Sequence, residues 1–130
     1  MIFNENGEKA INKLTENKIV KKPWGREIWF AQTDWYMGKV LIINPGEQVS
    51  LHFHDLKEET MFVFSGMIDV YVDTSDSPRM SLLPGGTLHV KPKDEHSMKC
   101  VSVMPAILFE VSTPNPDDSI RIKDYYGRDD

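Results

Sequence analysis

The stretch GEQVSLHFHDLKEETMFVFSG, Gly46 to Gly66, decides how this chain is read. It sets His52, His54 and Glu59 close together between two glycines. Side chains in an extended strand alternate between faces, so His52 and His54 share one. Asp55 to Glu58 is polar and suits a turn. Glu59 then opens an apolar run, Met61 to Phe64, that ends at Gly66. A hairpin of this kind returns the Glu59 carboxylate beside two imidazoles. Two nitrogens and a carboxylate oxygen converging from neighbouring strands suit a divalent first-row metal with open positions, such as Zn, Mn, Fe, Ni or Co.

Outward from this stretch the pattern stays β-rich. Runs at Glu27 to Ala31, Trp35 to Ile43, Met67 to Val72, Leu88 to Val90, His96 to Val103 and Ala106 to Ser112 are divided by turn residues. Among these are Asn44-Pro45-Gly46, Pro84-Gly85-Gly86 and Pro105. Many short strands with turn signals indicate a sandwich or barrel. The first 21 residues are polar. Ala10, Ile11 and Leu14 give a short helix stripe over about Glu8 to Glu16, so residues 1–21 are expected to form an arm or short helix and residues 22–130 one domain.

The spacing of Gly46, His52, His54, Glu59 and Gly66 resembles the first motif of the cupin superfamily. That resemblance implies an all-β fold, a small antiparallel jelly-roll β-barrel with a metal in its mouth. A second cupin region would add one more His. His89 fits the pattern after Pro84-Gly85-Gly86 literally, whereas His96 opens the strand after the next turn and is the favoured ligand. The expected metal set is thus His52, His54, Glu59 and His96.

Two brackets narrow the resemblance. Lys22-Pro23-Trp24-Gly25 precedes the barrel, and Ile120-Arg121-Ile122-Lys123-Asp124-Tyr125-Tyr126-Gly127-Arg128 follows it. Together they look like the cupin domain of type II mannose-6-phosphate isomerases, often fused to a mannose-1-phosphate guanylyltransferase. Departures are His52 where the family commonly has Gln, Val40 where Arg is frequent, and Lys123 in place of an acid. The resemblance implies a metal-dependent isomerase or epimerase of a phosphorylated or nucleotide-linked sugar. Arg26, Lys39, Arg121 and Arg128 are the cations expected to hold phosphate or sugar. His89 and Glu58 are candidates for the base, with Lys39 a further catalytic candidate. Two other readings stay open: a metal-dependent dioxygenase, and a sugar-binding cupin without turnover.

Composition bounds the rest. With 130 residues, a net charge of -5 and 40% hydrophobic residues, the chain suits one ordinary domain. It has no basic surplus for nucleic acid. A lone Cys100 excludes an internal disulfide, and no apolar run is long enough to span a membrane. The opening MIFNENGEKA does not read as a signal peptide, so a cytoplasmic protein is expected. A homodimer is expected too, formed by burying edge strands and the arm against a second subunit.

Overall fold

A computed structural model describes residues 17–115 and 118–128. Their regular structure is all strand: β1 (Lys18–Lys22), β2 (Gly25–Gln32), β3 (Met37–Ile43), β4 (Leu51–His54), β5 (Glu59–Ser65), β6 (Ile68–Tyr71), β7 (Met80–Leu82), β8 (Thr87–Val90), β9 (Ser97–Cys100), β10 (Ala106–Ser112) and β11 (Ser119–Lys123). Every ladder among them is antiparallel. No helix among the described residues is long and apolar enough to cross a membrane. The helix expected near Glu8 to Glu16 falls outside the described residues.

Six strands form one sheet in the order β1-β2-β3-β10-β5-β8. Opposite it lie the pair β11-β4 and the trio β7-β6-β9. Two isolated bridges, His52 to His96 and Gln48 to Lys99, join β4 and the chain before it to the β9 region. The core lies between these layers. Leu41, Met61, Val63 and Leu108 come from the large sheet, and Ile68, Val70, Met98 and Cys100 from the trio. Each fully buried Ile or Leu here contributes about 1.5–3 kcal/mol.

The alternation written in the sequence is what builds these layers. In β5, Glu59, Met61 and Val63 turn inward while Phe62 and Phe64 stay exposed. In β10, Ala106, Leu108, Glu110 and Ser112 turn inward. Two glycines are structural requirements. A Cβ on Gly25 would stand 1.9 Å from the Ile42 carbonyl oxygen, which explains the small residue after buried Trp24. Gly66 takes a φ of +80°, and a Cβ there would press to 2.8 Å from Ala106 Cα.

Two elements exceed what the sequence suggested. Residues 18–21, read as part of the arm, form β1 together with Lys22 and pair along β2 from Lys18↔Trp29 to Lys22↔Gly25. The charged tail forms β11 and pairs with β4, setting Arg121 against His52 and Ser119 against His54.

Candidate metal centre

His52 and His54 occupy alternate positions on β4 and point the same way, into the space between the layers. Glu59 opens β5, and His96 stands just before β9. His96 is held by two backbone hydrogen bonds with His52: the His52 N–H donates to the His96 carbonyl (3.1 Å), and the His96 N–H donates back (2.9 Å). One ligand atom from each of His52, His54, Glu59 and His96 lies within 4.8 Å of the others. All four are buried.

The ring orientations follow from their outer partners. Nδ1 of His52 lies 2.7 Å from the Ser50 carbonyl and Nδ1 of His96 lies 3.0 Å from the Asp94 carbonyl. A carbonyl only accepts, so both Nδ1 atoms carry the proton and both Nε2 atoms present a lone pair. Nδ1 of His54 meets Asp118 Oδ1 at 3.0 Å, and the same logic frees its Nε2. Asp118 Oδ2 also accepts from the Leu56 and Lys57 N–H groups at 2.8 Å each. Although burial works against it, these backbone bonds hold the Asp118 carboxyl below its ordinary range. Carboxylate or carbonyl partners behind each imidazole are the arrangement that orients metal-binding histidines.

The electrostatics agree. Burial and the neighbouring His96 push the His52 pKa down to about 3, so its ring is neutral at ordinary pH. Burial would raise the Glu59 carboxyl, but the His54 and His96 rings and Lys57 hold it well below the usual range. Glu59 Oε1 lies 2.9 Å from His96 Nε2 and 3.5 Å from His54 Nε2. His96 Nε2 is nevertheless buried without an aligned hydrogen bond. Such an orphaned atom is rare in folded proteins. Three Nε2 lone pairs and a carboxylate facing one another fit a divalent cation, so these residues can hold a metal ion.

The cluster lines a cavity of about 340 Å³. Behind Glu59 stands a buried charge network that the sequence reading missed. Lys57 Nζ lies 2.9 Å from Glu59 Oε2 and donates to Glu110 Oε2 at 3.0 Å. Burial disfavours the Lys57 ammonium, yet Glu110 and Glu59 outweigh that and keep it charged. Burial, with Glu59 nearby, raises Glu110 to about 7. Lys39 is buried on the same wall, 3.5 Å from Glu27 Oε1 and 4.5 Å from the Trp29 ring centre. Inward alternation on β10 was the available signal for Glu110: it is a charge at an inward position of an otherwise apolar strand.

The other expected site residues divide. Lys39, Arg121 and Arg128 line the cavity. Arg128 is also tied to Asp124, with Nη2 at 2.8 Å and Nε at 3.1 Å from Oδ1. Arg26 does not line it: alternation on β2 sends Glu27 and Trp29 inward and leaves Arg26 exposed. His89 and Glu58 do not line it either. They pair with each other at 2.5 Å on the outside, because His89 sits opposite outward Thr60 whereas Val90 sits opposite Glu59. His96, rather than His89, joins the imidazole cluster.

Comparison with known proteins places this geometry. A family model described as mannose-6-phosphate isomerase C-terminal matches residues 9–124. The chain belongs to this family. Among curated relatives of this mannose-6-phosphate isomerase C-terminal domain, mannose-1-phosphate guanylyltransferase 2 of Escherichia coli O157:H7 is 29% identical over 117 residues, covering 88% of this chain and 24% of the relative. Xanthan biosynthesis protein XanB of Xanthomonas campestris is 26% identical over 120 residues, covering 90% and 25%. The chain thus spans about a quarter of the length of the curated relatives it matches. Solved structures confirm the cupin fold of this family member. KdgF from Halomonas sp. aligns with a TM-score of 0.68 at 18% identity, over 83% of this chain and 94% of its own. A cupin-superfamily sugar phosphate isomerase from Silicibacter pomeroyi aligns with a TM-score of 0.60 at 18% identity, over 70% and 60%.

Proposed function

We propose that the chain is a metal-dependent isomerase or epimerase acting on a phosphorylated or nucleotide-linked sugar, similar to mannose-6-phosphate isomerase. One observation carries the reading. The three imidazoles and Glu59 lie in the same cavity as the side chains of Lys18, Lys22, Arg121 and Arg128. A site for a Lewis acid and a cationic rim thus share one small space. Phosphate groups are recognised by such cations, Arg adding a bidentate fork.

A divalent ion bound by His52, His54, Glu59 and His96 would supply polarisation of a sugar carbonyl beside its neighbouring hydroxyl. The chain must supply the proton transfer. Since His89 and Glu58 face outward, the groups available for it inside the cavity are Glu27, Lys39, Lys57 and Glu110. Glu110, at about 7, is balanced between accepting and releasing a proton near neutral pH. Trp24 and Trp29 also line the cavity, which supports a second reading, a sugar-binding cupin without turnover.

The test is proton NMR of the metal-loaded protein with mannose 6-phosphate in D₂O. Conversion to fructose 6-phosphate with deuterium at C2 is the expected result. Saturable binding of the sugar phosphate with no conversion moves the assignment to the binding reading. Neither binding nor conversion with any sugar phosphate or nucleotide sugar removes both.

A further inference from the structure

The two oxygens of the Glu59 carboxylate lie in different settings. Oε1 is 2.9 Å from His96 Nε2 and 3.5 Å from His54 Nε2, among the imidazole lone pairs. Oε2 is 2.9 Å from the Lys57 ammonium. The Lys57 and Glu59 side chains are each 2% exposed, so solvent barely screens this ion pair. Two anchors keep the ammonium in place. It also donates to Glu110 Oε2, on β10, at 3.0 Å. The Lys57 backbone N–H donates to Asp118 Oδ2 at 2.8 Å, which pins the turn carrying the side chain. Turning the ammonium away from Oε2 would break a buried ion pair, which is strongly destabilising.

The number of oxygens that Glu59 can offer decides which ion such a site prefers. With Oε2 held by the lysine, the donors facing one another are three imidazole nitrogens and one carboxylate oxygen. Imidazole suits Zn, Cu, Fe and Ni, whereas carboxylate, carbonyl and water suit Mg, Ca and Mn. Ca²⁺ takes about six to eight oxygens and commonly uses a chelating carboxylate. A Glu59 that gave both oxygens would move the site toward the second group. It would also take a position on the ion that the carbonyl or hydroxyl of a sugar needs.

We propose that Lys57 is a metal-specificity residue. By holding Oε2 it keeps Glu59 a one-oxygen ligand, so the site takes a nitrogen-preferring divalent ion such as Ni²⁺ over Mn²⁺, Mg²⁺ or Ca²⁺. The inference rests on His52, His54, Glu59 and His96 binding a metal, and it is independent of which sugar the cavity accepts.

Titrating the full chain with Ni²⁺ and with Mn²⁺, each against a chromogenic chelator, gives the ratio of the two affinities. Losing the Lys57 charge raises the affinity of every divalent ion alike, so the ratio isolates the donor set. The wild type should bind Ni²⁺ more tightly. Lys57→Met should narrow the ratio by about tenfold or more, the scale on which an outer partner of a ligand acts. Adding Glu59→Gln should restore it, because an amide offers a single carbonyl oxygen. Circular dichroism reports the folding of both variants. A readout on the Ni²⁺-loaded wild type needs no variant: its difference infrared spectrum should show the wide splitting of carboxylate stretches that marks one-oxygen ligation. The narrow splitting of a chelating carboxylate overturns the inference. So does a wild type that prefers Mn²⁺, a ratio unchanged in folded Lys57→Met, or one that Glu59→Gln fails to restore. A wild type that binds no divalent ion removes the metal reading and this inference together.

Discussion

Lys57 and Glu59 divide one carboxylate between two tasks. Oε2 of Glu59 lies 2.9 Å from the Lys57 ammonium, while Oε1 faces His96 and His54. The lysine therefore fixes which oxygen is turned toward the imidazoles. It also stands between two buried acids, Glu59 and Glu110.

Removing that cation should be costly in the metal-free protein. Lys57→Met strands the buried Glu59 carboxylate, and breaking a buried pair in this way costs about 3–5 kcal/mol. A divalent ion restores positive charge beside Glu59. Urea unfolding with and without metal should show a larger gain from metal in Lys57→Met than in the wild type. Equal gains would show that the lysine does not compensate Glu59.

Asp118 meets the candidate metal residues through His54. Asp118→Ala should lower metal affinity by about 10–100-fold, the usual effect of losing an outer partner of a ligating histidine. Competition against a chromogenic chelator measures it. In the same assay His96→Ala should abolish binding and His89→Ala should leave it unchanged. Loss confined to His89→Ala would reverse the ligand assignment.

The His52 ring gives a signed pH dependence. Its pKa is about 3 in the fold against an ordinary 6.5. Below 6.5 the unfolded chain takes up a proton that the folded chain refuses. The stability contributed by neutral burial is complete above 6.5 and drains away as pH falls toward 3, at roughly 1.4 kcal/mol per pH unit. Glu110 acts in the opposite sense, since at about 7 it holds a proton that the unfolded chain loses above its ordinary 4.5. Comparing metal-free wild type with His52→Gln cancels Glu110. The wild type should lose stability faster between pH 6 and 4, and parallel curves would refute the assignment.

The residues that can hold a metal were legible because their signal is local. His52 and His54 sit two apart in a strand, and Glu59 opens the next, so period-two alternation nearly fixes their geometry. The choice of His96 over His89 rested on counting turns, and the register Thr60↔His89 shows why His89 faces out. What stayed hidden depends on distant pairing. Lys57 reads as a turn residue until Glu110, on a strand far along the chain, comes beside it. Asp118 reads as tail until β11 docks on β4. The lysines of β1 read as a solvated arm because a strand lining a charged cavity lacks the apolar face that announces a strand. Arg26 was misplaced for a related reason: the bracket sequence locates it near the barrel, but alternation decides which way it points.

The pairing of β11 with β4 carries a consequence for how the site is made. The four residues that can hold metal are all synthesised by His96, yet the carboxylate that orients His54 arrives with Asp118, and the strand beside the two histidines ends at Lys123. Chains emerge from the ribosome N-terminus first. A nascent chain stopped between His96 and Asp118 thus holds every ligand and lacks the partner that sets the His54 ring. Full binding strength therefore comes only after the segment carrying Asp118 has followed the four residues out of the ribosome.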